Sequence, residues 1–217
     1  MVSRQAYPDI ENFFADTAEA YADAVRGFYA AGCRYLQFDD TVWAYLCFGK
    51  EQRIIRDRGD DPAALMGAYK QMVQHALEAK PADMTITTHV CPGNSGPAGS
   101  RRAAVAEMLL GELDYDGYFL EYDTDRAGGF EPLRFLPKGN KRVVLGLVTS
   151  KFGELEDRDR VLARIEEVSA YAPVEQFCLS PQCDFASTEE GNVLSEEEQW
   201  CKLGFIVEVA KEVWGNV

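Results

Sequence analysis

Basic residues, histidine and long apolar runs are all scarce in this chain, and each scarcity excludes a class of protein. The 22 lysines and arginines are outnumbered by 36 aspartates and glutamates, which gives a formal net charge of −14. Binding to nucleic-acid phosphates requires clustered basic residues, so we expect no nucleic acid among the partners. The sequence has no run of about 18 apolar residues and no apolar signal core near residue 1, which favours a cytoplasmic protein without a membrane partner.

The composition is otherwise that of a protein with one sizeable hydrophobic core. The chain has 217 residues, of which 47% are hydrophobic, so residues 1–217 are expected to form a single domain. Its six cysteines are expected to be reduced in a cytoplasmic setting, as core side chains or metal ligands rather than as disulfides. Four of them lie in apolar or helical settings and are predicted to be core: Cys33, Cys47, Cys178 and Cys201.

Segments with helical and strand-like apolar patterns alternate along the chain, which is typical of βα units around a parallel sheet. The predicted helices are residues 10–31, 62–79, 101–113, 158–171 and 196–214. The five predicted strands are residues 35–38, 84–88, 118–120, 143–148 and 176–179. We therefore predict an α/β fold with about five βα units, in which functional side chains gather at the carboxyl ends of the strands.

One of only two histidines lies at a predicted strand end, in a pattern typical of two of the ligands of a metal site. His89 and Cys91 follow a β-branched run and precede Pro92-Gly93. Because side chains alternate along a strand, residues two apart point the same way, and an imidazole and a thiolate can bind one ion. Zinc accepts nitrogen and sulfur ligands together, so it is the metal that this pair favours. The alternative is that Cys91 is a core side chain, since buried cysteine is common.

Two ligands do not complete a zinc site, so other strand ends must supply the rest. Glu121 closes the third apolar run and Cys183 follows the fifth, and both are candidates. Asp39 and Asp40 close the first run. An aspartate at such a position either binds a ligand or caps the following turn, and for Asp40 the capping role is favoured.

With these residues in hand, the chain resembles the carboxyl-terminal catalytic region of the cobalamin-independent methionine synthase family, especially its shorter, single-barrel members. The resemblance runs from Tyr7-Pro8-Asp9 to Trp214-Gly215 and implies a partial (β/α)8 TIM barrel of the methionine synthase and uroporphyrinogen decarboxylase-like type. Its most specific segments are Leu36-Gln37-Phe38-Asp39-Asp40, Ala44-Tyr45-Leu46-Cys47, His89-Val90-Cys91-Pro92-Gly93-Asn94, Phe119-Leu120-Glu121-Tyr122-Asp123 and Leu179-Ser180-Pro181-Gln182-Cys183-Asp184-Phe185-Ala186-Ser187.

The resemblance also implies a site and a reaction. By motif match the zinc ligands are His89, Cys91, Glu121 and Cys183, and Asp39 binds the amino group of homocysteine. The implied activity is zinc-dependent transfer of a methyl group to the homocysteine thiol, giving methionine, from a methyl-folate or methyl-corrinoid donor. Two thiolates and one carboxylate around zinc would keep a bound thiol as an electron-rich thiolate. Glu121 is expected to be the ligand that yields when the substrate binds.

Two departures from the family pattern keep other functions open. A complete barrel has eight strands and ~200–250 residues or more, whereas five strands are predicted here. We therefore expect a barrel that lacks its first strands and either self-associates or pairs with a second chain. Where large family members have a histidine after the fourth strand, this chain reads Thr149-Ser150-Lys151. The alternatives are alkyl transfer between another thiol and an epoxide or methyl-corrinoid donor, and an inactive zinc-binding fragment.

Overall fold

The strands form one parallel sheet and follow the order of the chain. The computed structural model describes residues 2–3, 5–47, 49–90, 100–122, 129–183, 185–186, 189 and 191–215. The strands are β1 (Tyr35–Asp39), β2 (Thr85–Val90), β3 (Gly117–Glu121), β4 (Arg142–Val148) and β5 (Phe177–Pro181). They pair in the order β1-β2-β3-β4-β5, each parallel to its neighbour. The predicted α/β fold with five βα units is therefore confirmed.

The α-helices of the described residues precede β1, follow β5 or lie between successive strands, except between β3 and β4, where a 3-10 turn is found. They are α1 (Ile10–Ala30), α2 (Val42–Cys47), α3 (Gly49–Asp57), α4 (Pro62–Glu78), α5 (Ser100–Ala106), α6 (Arg158–Val168) and α7 (Glu196–Trp214). A π-helical turn, Glu107–Glu112, follows α5, and 3-10 turns span Glu131–Phe135 and Val174–Gln176. The apolar pattern missed α2 and α3, because α2 has only six residues and α3 has a largely charged sequence. No helix in the described ranges is both long and apolar enough to cross a membrane.

Short polar side chains fix the beginnings of the longer helices. Asp61 accepts a hydrogen bond from the backbone of Ala63, and Pro62 occupies the first turn of α4. At α7, the Ser195 hydroxyl accepts from the Glu198 N–H while the Glu198 carboxylate accepts from the Ser195 N–H, which forms a capping box. These caps satisfy N–H groups that have no partner inside a helix, so both helices begin where the sequence predicts.

The two faces of the sheet differ in chemistry. One face packs against the helices and holds the core, in which Ile86, Tyr118, Val143, Leu145 and Phe177 are almost completely buried. On β1, Leu36 and Phe38 pack against this core, whereas Gln37 and Asp39 point the other way into a cavity. The sheet therefore presents a covered apolar face and an open face that carries the candidate functional groups.

The open face carries both apolar and polar side chains. Among the described strand residues, Tyr35 is the one large apolar side chain that is strongly exposed. Its hydroxyl lies 3.0 Å from the Thr87 hydroxyl of the neighbouring strand. Polar side chains occupy several other strand positions on this face: Gln37, Thr85, Thr87 and Ser180.

The first and last strands form the edges of the sheet. In the described part of the chain, β1 pairs with β2 alone and β5 pairs with β4 alone. The predicted first and last strands, residues 35–38 and 176–179, are therefore the edge strands β1 (Tyr35–Asp39) and β5 (Phe177–Pro181). The parallel arrangement of the strands also brings the carboxyl ends of all five to one rim.

Candidate metal centre

His89 is held at the rim by a carboxylate from the neighbouring strand. The register of the sheet places Asp39 of β1 opposite His89 of β2. The His89 Nδ1 lies 2.9 Å from the Asp39 Oδ1. Because a carboxylate oxygen accepts, the Nδ1 carries the hydrogen, and the Nε2 is directed away from Asp39. The sheet register therefore decides which ring nitrogen of His89 can bind a ligand.

The Nε2 atom of His89 is buried and has no hydrogen-bond partner among the described residues. Its neighbour is the Glu121 carboxylate, whose Oε1 lies 3.8 Å away, beyond hydrogen-bonding distance. The Glu121 carboxylate, and after it Asp39, raises the pKa of His89 above its ordinary value, although burial opposes that change. A buried ring nitrogen that faces a carboxylate without a hydrogen bond is the arrangement expected of a metal ligand.

Glu121 lies at the end of β3 between His89 and Cys183. Burial by itself would raise the pKa of Glu121, but its interactions with His89 and with the thiol and backbone N–H of Cys183 outweigh burial and lower the pKa to about 2. The Cys183 N–H donates to the Glu121 Oε1 at 3.1 Å. The carboxylate is therefore ionised at neutral pH, as a metal ligand must be.

Three of the four predicted ligands come together at this rim. One ligand atom each from His89, Glu121 and Cys183 lies within 4.8 Å of the others. In a tetrahedral zinc site with bonds of ~2.0–2.3 Å, ligand atoms are about 3.3–3.8 Å apart, so a small inward movement of the side chains would suffice. The set offers nitrogen, oxygen and sulfur, and the buried His89 Nε2 lies beside the Glu121 carboxylate without a hydrogen bond, so these residues fit zinc. The fourth predicted ligand, Cys91, lies outside the described residues.

The three groups line a cavity of about 580 Å³ on the open face of the sheet. Its wall is made of residues from β1, β2, β3, β4 and β5 and the segments that follow: Gln37, Asp39, Thr41, His89, Phe119, Leu120, Glu121, Gly146, Ser180, Pro181, Gln182 and Cys183. At Gly146 a Cβ atom would lie 3.3 Å from the Leu120 carbonyl oxygen and 3.4 Å from the Pro181 carbonyl oxygen. Glycine at this position therefore lets the strands approach closely beside Glu121.

The two aspartates after β1 have different roles. Asp39 is largely exposed at the cavity, whereas Asp40 is buried and its Oδ1 accepts from the Val42 N–H at the beginning of α2. Burial raises the pKa of Asp40 above its ordinary value. The capping role predicted for Asp40 is confirmed, and Asp39 is the one that faces the cavity.

The sequence places Thr149-Ser150-Lys151 after the fourth strand, but sequence reasoning missed the buried polar contacts that this segment makes beside Cys183. Ser150, whose hydroxyl donates to the Cys183 carbonyl oxygen at 2.7 Å, is 2% exposed. The ammonium of Lys202 is fully buried and binds the Glu156 carboxylate at 3.1 Å, and Glu156 accepts from the Thr149 N–H at 2.7 Å. A lysine in the middle of an amphipathic helix predicts a solvent-exposed residue, so the sequence offers no signal for this burial.

His75, Cys33, Cys178 and Cys201 are outside the candidate centre. His75 lies in the last turn of α4, where its Nε2 is 2.9 Å from the Glu19 Oε2. Cys33 and Cys178 are half-buried, while Cys201 is exposed on α7, so the prediction that Cys201 is a core residue is wrong. Its helix is amphipathic, and this position faces solvent rather than the sheet. The side chain of Cys47 lies outside the described residues.

A model of the catalytic domain of cobalamin-independent synthases matches residues 5–212 of this chain. The chain belongs to the cobalamin-independent synthase family. The match includes all five strands and the rim that carries His89, Glu121 and Cys183. The family resemblance drawn from the sequence motifs is therefore confirmed.

Two curated relatives of this synthase-family chain come from Bacillus subtilis (strain 168). The uncharacterized protein YxjH is 47% identical over 211 residues, which cover 96% of this chain and 56% of the relative. The uncharacterized protein YxjG is 48% identical over 209 residues, which cover 95% of this chain and 55% of the relative. The chain thus spans about half the length of the curated relatives it matches.

A solved structure has the same fold as this member of the synthase family. It is a B12-independent methionine synthase from Shewanella sp. W3-18-1 in complex with selenomethionine, and it matches with a TM-score of 0.63 and 16% sequence identity. The alignment covers 95% of this chain and 56% of that chain. At this identity the likeness supports the barrel-type fold alone.

Proposed function

We propose that this chain carries the zinc centre of a methyltransferase that moves a methyl group to a thiol, with homocysteine as the acceptor and methionine as the product. The observation that supports this proposal most directly is the approach of His89, Glu121 and Cys183 to within 4.8 Å at the rim of the cavity. The proposed ligand set is completed by Cys91. Zinc held there would lower the pKa of a bound thiol and so supply a thiolate nucleophile at neutral pH.

The proposed role of Glu121 is that of the exchangeable ligand. Thiolates bind borderline-soft zinc more tenaciously than a carboxylate does, so Glu121 would be the ligand that yields to a substrate sulfur. The displaced carboxylate already has another partner, because its Oε1 accepts from the Cys183 N–H at 3.1 Å. Displacement of Glu121 therefore leaves no buried, unpaired charge.

The proposed role of Asp39 is to bind the amino group of the acceptor. Its side chain is largely exposed at the cavity, and only one of its oxygens is bonded to His89 in the described contacts. The other carboxylate oxygen can accept from an ammonium group, which would orient the acceptor with its sulfur toward His89, Glu121 and Cys183. Asp39 would then position both a ligand side chain and the substrate.

The transfer itself is a displacement at the methyl carbon. The acceptor thiol loses its proton to solvent, and a sulfur lone pair then forms the new sulfur–carbon bond. The bond between the methyl carbon and the donor breaks at the same time, and its electron pair stays with the donor. The half-buried Phe119 lies beside the cavity and would limit the access of water to this reaction.

The function is tested with the full chain after loading with zinc. Homocysteine is supplied with methyl-folate or methyl-corrinoid, and methionine is measured by mass spectrometry, with the Cys183→Ser variant as the inactive comparison. The reaction is run with the chain alone and after addition of the portion of YxjH that this chain does not cover. Methionine in either arm supports the proposal. Zinc-loaded protein that forms no methionine in any arm, yet joins another thiol to an epoxide, would replace homocysteine methylation with the alkyl-transfer alternative.

A further inference from the structure

Two hydrogen bonds hold the backbone of Cys183. Its N–H donates to the Glu121 Oε1 at 3.1 Å, and its carbonyl oxygen accepts from the Ser150 hydroxyl at 2.7 Å. We propose that Ser150 is a positioning residue of the metal centre, which fixes the Cys183 backbone and thereby places both the Cys183 sulfur and the Glu121 carboxylate. This inference rests on the proposed function, because it assigns a supporting role at the same centre.

Ser150 is suited to this role because it is itself held firmly. It lies just beyond the end of β4, is 2% exposed, and its carbonyl oxygen accepts from the Asn192 side-chain amide at 2.7 Å. A hydroxyl buried in this way loses little freedom when it donates, so its hydrogen bond to Cys183 is well defined. Removal of the hydroxyl would leave the Cys183 carbonyl oxygen without this donor in a half-buried position.

Two more hydrogen bonds join the same segments. The Gln182 N–H donates to the Val148 carbonyl oxygen at 2.7 Å, and the Thr149 hydroxyl donates to the Gln182 Oε1 at 3.2 Å. Gln182 is 5% exposed. Together with the hydrogen bond of Ser150, these contacts attach the segment after β5 to the segment after β4. They do so at Gln182 and at Cys183, the proposed ligand.

An ion pair whose lysine is fully buried stabilises the segment after β4. The Thr149 N–H donates to the Glu156 carboxylate, which in turn binds the fully buried Lys202 of α7. The Lys202 ammonium also donates to the Glu154 carbonyl oxygen at 2.6 Å. The loop that carries Ser150 is thus attached to α7 as well as to the sheet, and the position of Cys183 depends on contacts outside the cavity wall.

A positioning role and a purely structural role make different predictions for Ser150→Ala. If Ser150 positions the centre, zinc affinity falls by about 10–100-fold, the range typical for groups that orient metal ligands. If it only stabilises the fold, the metal-free protein melts earlier while the folded protein binds zinc as the unsubstituted chain does. Ser169→Ala is the matched control, because the Ser169 hydroxyl also donates to a carbonyl oxygen, that of Ile165 at 2.9 Å, but within α6 and its cap.

The experiment measures zinc affinity by competition with a chromophoric chelator, and thiolate coordination by the absorption of the cobalt-substituted protein. For Ser150→Ala we expect the weaker zinc affinity together with a reduced or shifted thiolate-to-cobalt charge-transfer band. For Ser169→Ala we expect a lower melting temperature with unchanged affinity and spectrum. Equal affinity and an identical cobalt spectrum in Ser150→Ala and the unsubstituted chain would overturn the proposal.

A second variant covers the case in which Ser150→Ala does not fold. Asn192 is exposed, so Asn192→Ala leaves no cavity in the core. The substitution removes the amide that donates to the Ser150 carbonyl oxygen and so weakens the attachment of Ser150. We expect a loss of zinc affinity in the same direction in this variant, smaller than the ~10–100-fold loss expected of Ser150→Ala. If Ser150→Ala cannot be purified and Asn192→Ala binds zinc with unchanged affinity, that result also counts against the positioning role. Failure of the unsubstituted chain to bind zinc would instead contradict the proposed function, so the two failures can be told apart.

Discussion

The Nδ1 of His89 lies 2.9 Å from the Oδ1 of Asp39, a residue 50 positions earlier in the chain. The contact follows from the parallel register of β1 and β2, which places the two residues opposite each other. It fixes the Nδ1 hydrogen toward Asp39 and leaves the Nε2 facing Glu121. The orientation of a single imidazole ring therefore decides whether His89, Glu121 and Cys183, from two strands and the segment after β5, can share one ion.

Zinc binding by this rim is the first prediction. We expect one zinc per chain, and we expect Cys183→Ser and His89→Ala each to lose most of it, because each removes one of four ligands. The chain offers matched controls in Cys201→Ser, at an exposed position, and His75→Ala, whose imidazole pairs with Glu19. Elemental analysis of purified protein gives the metal content. Full zinc in Cys183→Ser, or an equal loss in the Cys201→Ser control, would show that the ligands are elsewhere.

The second prediction concerns the order in which ligands are lost. Glu121→Gln is expected to retain zinc better than Cys183→Ser or Cys91→Ser, because thiolates hold zinc more strongly than a carboxylate. The amide oxygen that this substitution introduces can still accept from the Cys183 N–H, so the local backbone should be preserved. X-ray absorption of the zinc-loaded chain is expected to show loss of an oxygen neighbour and gain of a sulfur neighbour when homocysteine is added. An unchanged oxygen shell would argue against ligand exchange.

A third prediction separates the hydrogen-bonding role of Asp39 from its charge. Asp39→Ala removes the acceptor for the His89 Nδ1–H and is expected to weaken zinc binding by about tenfold or more. Asp39→Asn keeps an oxygen acceptor and is expected to retain most of the affinity, while it raises the KM for the acceptor thiol, because a neutral amide binds an ammonium group weakly. Nitrogen NMR of the imidazole, together with chelator competition, checks the first part. Equal zinc affinity in Asp39→Ala and the unsubstituted chain would contradict it.

The fourth prediction concerns the stability contributed by Lys202. Lys202→Met removes the fully buried cation and leaves the Glu156 carboxylate without its ion pair, so we expect a loss of about 3–5 kcal/mol in the free energy of unfolding. Arg158→Ala is the control, since the Arg158 side chain is 44% exposed and pairs with Glu208 and Glu212 at the surface, where such pairs contribute about 0–1 kcal/mol. Urea unfolding of the metal-free chain measures both. Similar losses in the two variants would mean that the buried pair is no more important than the surface pair.

The fifth prediction concerns the open edges of the sheet. Because β1 and β5 each pair with one strand in the described part of the chain, we expect the isolated chain to self-associate as its concentration rises. Tyr35→Lys places a charge on β1 and is expected to reduce this association, whereas Phe28→Lys, at an equally exposed site on α1, is expected to leave it unchanged. Light scattering over a range of concentrations measures the mass. A monomer at every concentration would contradict the prediction.

The sequence by itself determined which kinds of side chain stand at the strand ends. Apolar runs separated by helical patterns predicted five parallel strands in chain order, and that topology brings their carboxyl ends to one rim. His89, Glu121 and Cys183 could therefore be named as neighbours from their positions after successive runs. Periodicity is a local signal, and it was sufficient because strand order in this sheet follows chain order.

Only the tertiary structure decided how these side chains are oriented and supported. Asp39 binds His89 across 50 residues of sequence, Ser150 binds Cys183 across 33, and Lys202 binds Glu156 across 46. No periodic pattern encodes such pairings, because they depend on sheet register and on how a helix packs against the loops at the rim. The sequence therefore determined the candidate ligands, whereas the folded chain decided which atoms of those residues can meet one ion.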